Sequence, residues 1–440
     1  MVPPQAGRVI AGKREGRILG LVYVAWAINL GGNQVFTLLL FFLLPAASVG
    51  LINWGTAAGA LVFYIVEAGV ETALVIAAKR DAVSLRTMTV VVGAIRLVTA
   101  LIVLAAWLAA IGFHLLHRQE ASVLLLVGLG FVLRSLQTPF TASLQVRDRQ
   151  ATAAMVGVSQ VVARFIALGL VILLGVLSVT WVLVASLAGD VVALLALFVA
   201  ATGAGGPTEG LSRRALLSAI ARSAPLITAS QAVMQTQARV DWLLVAAFTS
   251  YTSLANYSIA NKAVELLVLA GSVFGRTALP WFVEGWGSRN ILKALRAVAL
   301  GTIVLSLALA IWGSAVLQLV FGSKYAGASP VIPLLAVLGP GLVLFQIVQF
   351  TLLGRGRTLD TVIAGGAGVV AQVIIDLVAI PAIGIVGAAY GMWAFTFVGF
   401  PTMLWMATRR AVMPRRVVRE LALAAVVLPL GLLALTLLHG

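Results

Sequence analysis

The chain predicts an all-α polytopic membrane protein. Its expected architecture is two six-helix lobes related by a parallel pseudo-two-fold along the membrane normal, plus one extra C-terminal helix. Three observations carry this reading. First, 61% of the 440 residues are hydrophobic, only 10% are charged, and the mean hydropathy is +1.09. An ordinary soluble domain is about 45–50% apolar and about 25% charged. Second, the apolar residues fall in runs that reach the ~20 residues needed to span a bilayer. Third, the basic residues between those runs lie almost entirely on one side. Soluble dehydrogenases, kinases and nucleic-acid binders are excluded together.

Each element follows in order. Residues 1–17 form a basic N-terminus with Arg8, Lys13, Arg14 and Arg17. The apolar run behind it is too long for a signal-peptide core and has no cleavage site, so it reads as a retained span. Spans are expected near 18–44, 51–76, 88–113, 122–144, 152–175 and 178–201, which form the N-terminal lobe (18–201). A Gly/Pro-containing cytoplasmic linker follows at 202–223. The C-terminal lobe (224–407) holds spans near 224–247, 254–282, 297–320, 330–353, 360–381 and 384–406. Residues 408–440 form a basic loop and a thirteenth helix near 419–438. On this map 22 Lys and Arg fall on one face, and only Arg118 and Lys324 on the other. Short cytoplasmic loops collect Lys and Arg. The asymmetry therefore places the N-terminus in the cytoplasm of a plasma (inner) membrane protein. It also accounts for the +16 net charge without nucleic acid. Such a face attracts anionic membrane lipids. A faint repeat at an offset of 205 sets Leu38-Leu39 beside Leu243-Leu244, and Thr72-Ala73-Leu74 beside Thr277-Ala278-Leu279.

Ionisable groups at bilayer depth cost roughly 2.5–3.5 kcal/mol each, so they face a partner, water or a substrate. The spans contain six cations (Arg96, Arg134, Arg164, Arg239, Lys262, Arg276) and six acids (Glu67, Glu71, Asp190, Asp241, Glu265, Asp376). The six cations are the candidate lining of a hydrated substrate cavity. Arg134, Arg164, Arg239 and Lys262 come first, because they lie too deep for easy snorkelling. Arg276 lies near a span end and could snorkel. Guanidinium matches phosphate through two parallel hydrogen bonds, so the cargo is expected to be anionic. Glu67 and Glu71 share a helix face at i, i+4, where close carboxylates can share a proton. With Asp241 and Asp376 they are the candidates for ion coupling. Lys262 and Glu265, at i, i+3, could instead simply pair. Pro139, Pro225, Pro340 and the Gly365, Gly366, Gly368 cluster permit bends and close helix approach.

Several chemistries drop out. There is no cysteine, hence no disulfide or thiolate site. His114, His117 and His439 are too few and too separated for a metal cage. No Walker A pattern is present, so ATP does not drive the protein directly. No cofactor and no catalytic residue are expected, and no segment outside the membrane is long enough for an integral-membrane glycosyltransferase site.

Two stretches resemble a known family. Phe321-Gly322-Ser323-Lys324-Tyr325, running through Ala328 to Pro330 and Leu335, is similar to a segment between two helices of polysaccharide exporters. Asp376-Leu-Val-Ala-Ile-Pro381 to Gly384, Gly387 and Ala389 resembles their Pro/Gly corner. Pro225, Asp241 to Leu244, Asn256 to Ala260 and Pro280 occur in that family's order. So do Leu44-Pro45 to Gly50 and Gly69 to Leu74. The resemblance is to the polysaccharide-transporter branch of the multidrug/oligosaccharidyl-lipid/polysaccharide flippase superfamily. It implies two six-helix lobes, a cationic cavity, and alternating access that moves a polyprenyl-(pyro)phosphate-linked glycan to the outer leaflet. Partners would be the lipid-linked glycan, membrane lipids, and a glycan polymerase or glycosyltransferases. Asp376 stands where the family has Asn, adding a charge or a proton at that corner. Lipid II flipping, cation-coupled drug export and a non-transporting scaffold for glycan synthesis are the competing functions.

Overall fold

The computed structural model describes residues 13–80, 84–112, 117–146, 149–203, 212–284, 289–413 and 415–423. Among them are thirteen α-helices, one short 3-10 helix and no strand. The first six are α1 (Lys13–Leu43), α2 (Ala46–Arg80), α3 (Leu85–Gly112), α4 (Arg118–Val146), α5 (Gln150–Leu173) and α6 (Val179–Thr202). After the linker come α7 (Arg213–Phe248), α8 (Tyr251–Glu284), α9 (Arg289–Phe321), the 3-10 turn η1 (Gly322–Ala328), α10 (Val331–Gly354), α11 (Thr358–Ile383), α12 (Ile385–Arg409) and α13 (Arg415–Ala422). The chain is thus an all-helical polytopic membrane protein.

Nine of the described helices are long and apolar enough to cross a bilayer. The sequence map had thirteen spans. α7 and α8 have the length, at 36 and 34 residues, but carry many polar groups. α13 has eight residues, and most of the span expected at 419–438 lies outside the described residues.

The repeat is written into the helix ends. α1 ends at Leu43 and α7 at Phe248; α2 begins at Ala46 and α8 at Tyr251. Both pairs are 205 residues apart, the offset of the sequence matches. Later pairs drift by up to eight residues, as loops and helices differ in length.

The chain divides into two compact units. The first comprises Met1–Leu40, Val70–Leu108 and Leu125–Arg222; the second comprises Phe41–Gly69, Ala109–Leu124 and Ser223–Gly440. The α1–α2 corner therefore belongs with the second unit. In the first unit, Phe140 and Leu144 of α4 pack with Val156 of α5 and with Ala193, Leu197 and Ala201 of α6. Trp107 of α3 lies on Gly128 of α4, where a Cβ would come within 1.5 Å of the ring.

In the second unit α10 is the central helix. Of its apolar stretch 83% is buried, against 17% for the stretch through α9, whose Leu300, Ile311 and Leu319 face outward. Lipid gives helices no hydrophobic reason to associate, so close packing of small residues must do it. α11 and α12 do this along their length. A Cβ on Gly368 would meet the Cα of Gly399 at 3.1 Å, and one on Gly387 would meet the Ala379 backbone at 2.4 Å.

Candidate cation clusters and the buried carboxylates

Within the first unit, α4, α5 and α6 bring two predicted cations onto one acid. Arg134 and Gln137 are three apart on α4, and Gln160 and Arg164 four apart on α5, so each pair shares a face. Both faces meet Asp190 of α6, whose side chain is 1% exposed. Its Oδ1 accepts from Arg164 Nη2 at 2.7 Å, Arg134 Nε at 3.2 Å and Gln160 Nε2 at 2.5 Å. Arg134 Nη2 reaches Oδ2 at 3.4 Å, and Gln137 donates to the Asp190 carbonyl at 3.0 Å. Arg164 Nη1 also donates to Asn33 Oδ1 of α1 at 2.5 Å. Gly189 makes room for this, since a Cβ there would lie 2.3 Å from Arg164 Cγ. Two guanidiniums share one carboxylate, so the cluster keeps a net positive charge. Arg164 is held in the interior with its side chain 9% exposed, whereas that of Arg134 is 45% exposed.

The second unit repeats the ratio with different elements. Glu265 of α8 accepts from Lys262 at 2.5 Å and faces Arg239 of α7 at 3.5 Å. The Arg239 guanidinium lies over the Trp242 ring, 4.4 Å from its centroid. Again one carboxylate serves two cations. The i, i+3 pairing of Lys262 with Glu265 considered from sequence is present. Beside this cluster opens a cleft between α7, α8, α10 and α12, with Glu265 in its wall.

Deeper in the same unit sit two fully buried carboxyls. Asp241 Oδ2 accepts from Tyr257 at 2.5 Å, and Oδ1 from the Trp242 backbone at 2.9 Å. Asp376 lies against Gly391, and neither of its oxygens has a hydrogen-bond partner among the described residues. Gln372, one turn earlier on α11, donates to the Gln237 carbonyl at 3.3 Å. Among the described residues, no group of three His, Asp or Glu side chains is arranged to hold a metal ion.

Arg96 is buried within α3. The side chains of Glu67, Glu71 and Arg276 lie outside the described residues, as do His114 and His439. His117 is exposed beside Glu120. The hubs of the two clusters, Asp190 and Glu265, were not singled out as site residues from sequence. For Glu265 the helical spacing was a usable signal. For Asp190 there was none, since its partners sit on other helices.

The Phe321–Pro330 stretch also acquires a structural role. η1 docks on the α1–α2 corner inside the second unit. Lys324 Nζ donates to the carbonyls of Phe41, Phe42 and Leu44 at 2.6, 3.1 and 2.6 Å, where α1 ends and its carbonyls lack helical partners. Tyr325 donates to the Phe41 carbonyl at 2.9 Å, and Phe321 stacks on Phe42. Gly322 supplies the left-handed turn (φ +62°) that starts η1. On the other side of the corner, Asn53 donates to Ser258 at 2.7 Å, and Tyr251 donates to Glu120.

Residues 40–330 match a family described as "Polysaccharide biosynthesis protein". No curated protein matches the chain. Solved structures do. The lipid II flippase MurJ in an inward closed conformation aligns over 94% of this chain and 91% of its own, at 13% identity and TM-score 0.71. An outward-facing multidrug resistance MATE family transporter of the MOP superfamily aligns over 93% and 99%, at 15% and 0.62. The Vibrio cholerae MATE transporter VcmN in the bent form aligns over 94% and 100%, at 13% and 0.60. At these identities the likeness is one of fold.

Proposed function

This chain belongs to the polysaccharide biosynthesis protein family, and from that premise we propose that it is a flippase for a polyprenyl-(pyro)phosphate-linked oligosaccharide or polysaccharide precursor. The cargo passes from the inner to the outer leaflet by alternating access. The fold is that of flippases and exporters of the MOP superfamily. The single observation that carries the choice of cargo is the two-to-one ratio of cations to carboxylates. Arg134 and Arg164 share Asp190, and Arg239 and Lys262 share Glu265. A cationic drug would need the opposite excess. A phosphate diester or pyrophosphate suits guanidinium and ammonium groups already held in place.

Lipid II is a second reading, favoured by the similarity to MurJ; it has the same pyrophosphate chemistry and differs in its glycan. The protein acts without catalysis in the plasma membrane, with its N-terminus in the cytoplasm. Its other partners are anionic lipids and the enzymes that build or polymerise the glycan. Asp241 and Asp376 are the coupling site, where an ion or proton exchanges against two carboxyls buried from lipid.

Reconstituted protein should move a fluorescent polyprenyl-pyrophosphate-linked sugar across vesicles. Neutralising Arg134 and Arg164 together (Arg→Gln) should slow this by about tenfold or more, the loss of one or two charge-assisted bonds. Arg409→Gln with Arg410→Gln, outside the clusters, should leave it nearly unchanged. Equal effects from the two pairs would overturn the assignment.

A further inference from the structure

We infer that Asp190 is a resident anion that the cargo phosphate displaces from Arg134 but not from Arg164, so that Arg134 takes hold of the cargo and Asp190 sets its release. The inference rests on the flippase reading and assigns separate parts within the first cation cluster. The two guanidiniums are held unequally. Arg164 Nη2 donates to Asp190 Oδ1 at 2.7 Å and Nη1 to Asn33 Oδ1 at 2.5 Å. Its stem fills the space that Gly189 leaves. Arg134 makes the longer bonds, Nε to Oδ1 at 3.2 Å and Nη2 to Oδ2 at 3.4 Å. Its side chain is also 45% exposed, against 9% for Arg164. A purely structural knot would bury both alike.

The open side of Arg134 is turned away from the apolar surface of α4. Leu125 and Leu129 are the exposed leucines of that helix. At 3.6 residues per turn, Arg134 lies about 180° and about 140° round the helix from them. The second cluster has no such contrast, because Arg239 and Lys262 are both mostly covered.

Charge decides which contact can break. When Arg134 leaves, Asp190 keeps Arg164 and Gln160, so the buried pair that remains is balanced. When Arg164 leaves, its charge is stranded in the interior, where an unpaired ion is strongly destabilising. Gln137 holds the Asp190 carbonyl at 3.0 Å, which keeps the hub in place while Arg134 moves. A phosphate offers the guanidinium fork two oxygens, as a carboxylate does. Arg134 thus exchanges one two-oxygen partner for another. On release, Asp190 closes on Arg134 again, which weakens the grip on the cargo and speeds its departure.

The test titrates a polyprenyl pyrophosphate onto the full chain in nanodiscs. Asp190→Asn removes the competing anion and keeps its size, so this variant should bind about tenfold more tightly than the native protein, the strength of about one charge-assisted hydrogen bond. In an Arg134→Gln chain the same substitution should change affinity by less than about twofold, because the competition acts through Arg134. In vesicles Asp190→Asn should flip the lipid more slowly than the native protein although it binds more tightly. Simple loss of structure would lower both. Should Asp190→Asn fail to fold, Arg164→Met with and without Asp190→Asn makes the same comparison, and the same tightening is expected. Binding by Asp190→Asn that equals the native or is weaker, a tightening that persists in Arg134→Gln, or flipping that is not slowed would overturn the exchange and leave the flippase reading intact. A native protein that does not bind the lipid would overturn both.

Discussion

Lys324 gives the sharpest test of how the second unit is held together. The substitution is Lys324→Met, which keeps most of the side chain and removes the ammonium. Three carbonyls lose their donor: those of Phe41, Phe42 and Leu44, at 2.6, 3.1 and 2.6 Å. A hydrogen bond to a charged group contributes about 1.5–3 kcal/mol, and a cation at a helix C-terminus up to ~2 kcal/mol. The three bonds share one charge, and Lys324 is partly exposed, so they do not add. A net loss of about 2 kcal/mol is expected, which makes undocking of the corner about 30-fold more frequent.

The readout is a cysteine at Ser258, a fully buried position bonded to Asn53 across the same corner. The chain has no cysteine, so the background is zero. Both arms carry Ser258→Cys, so its own cost cancels. When opening is fast relative to labelling, the labelling rate follows the open population, so it should rise about 30-fold. Lys324→Arg should stay near the native rate. A cysteine at Ser143, buried in α4 of the first unit, should not change. A rise of less than about twofold at Ser258 would show that solvent satisfies these carbonyls equally well and would refute the assignment.

Three further outcomes follow from packing and charge. Gly50→Ala would set a Cβ 1.7 Å from the Tyr251 carbonyl oxygen, a backbone atom that cannot swing away; the same Ser258 cysteine should label faster. Asp190→Asn leaves Arg134 and Arg164 facing each other without their shared counter-charge, so thermal stability in detergent should fall by about 3–5 kcal/mol; Arg164→Met added to it should recover part of the loss. Gly391→Ala would place a Cβ 1.8 Å from Asp376 Oδ1 inside the α11–α12 contact; overpacking of this kind costs about 1–3 kcal/mol, and Asp376→Ala on the same chain should relieve it in a denaturation assay.

The helices were legible because lipid enforces long apolar runs, and the 205-residue repeat survives in the ends of α1, α2, α7 and α8. Lys262 with Glu265 was legible because i, i+3 is a local spacing. Asp190 was not, since its partners Arg134 and Arg164 lie 56 and 26 residues away on other helices. Lys324 read as one of two outer-face charges. Its role depends on Phe41, 283 residues earlier, and no period in the sequence encodes that distance. The polar character of α7 and α8 blurred their identity as spans, because they give apolar positions to Gln237, Arg239, Asn261, Lys262 and Glu265.

Asn53 and Ser258 are separated by 205 residues and share a buried 2.7 Å hydrogen bond. The two positions correspond under the sequence repeat, and the bond joins α2 to α8 within the second unit. The charged residues do not follow the same offset. Shifted by 205, Lys262 and Glu265 fall on Ala57 and Ala60, Arg239 on Gln34, and Asp190 on Phe395. The offset that relates the ends of α1 and α2 to those of α7 and α8 therefore does not relate the charges. The two clusters differ in make-up: α4, α5 and α6 set two guanidiniums on an aspartate, and α7 and α8 set one guanidinium and one ammonium on a glutamate. Unlike clusters suit the lipid-linked glycan proposed above better than a symmetric ligand, because such a glycan is charged at one point only.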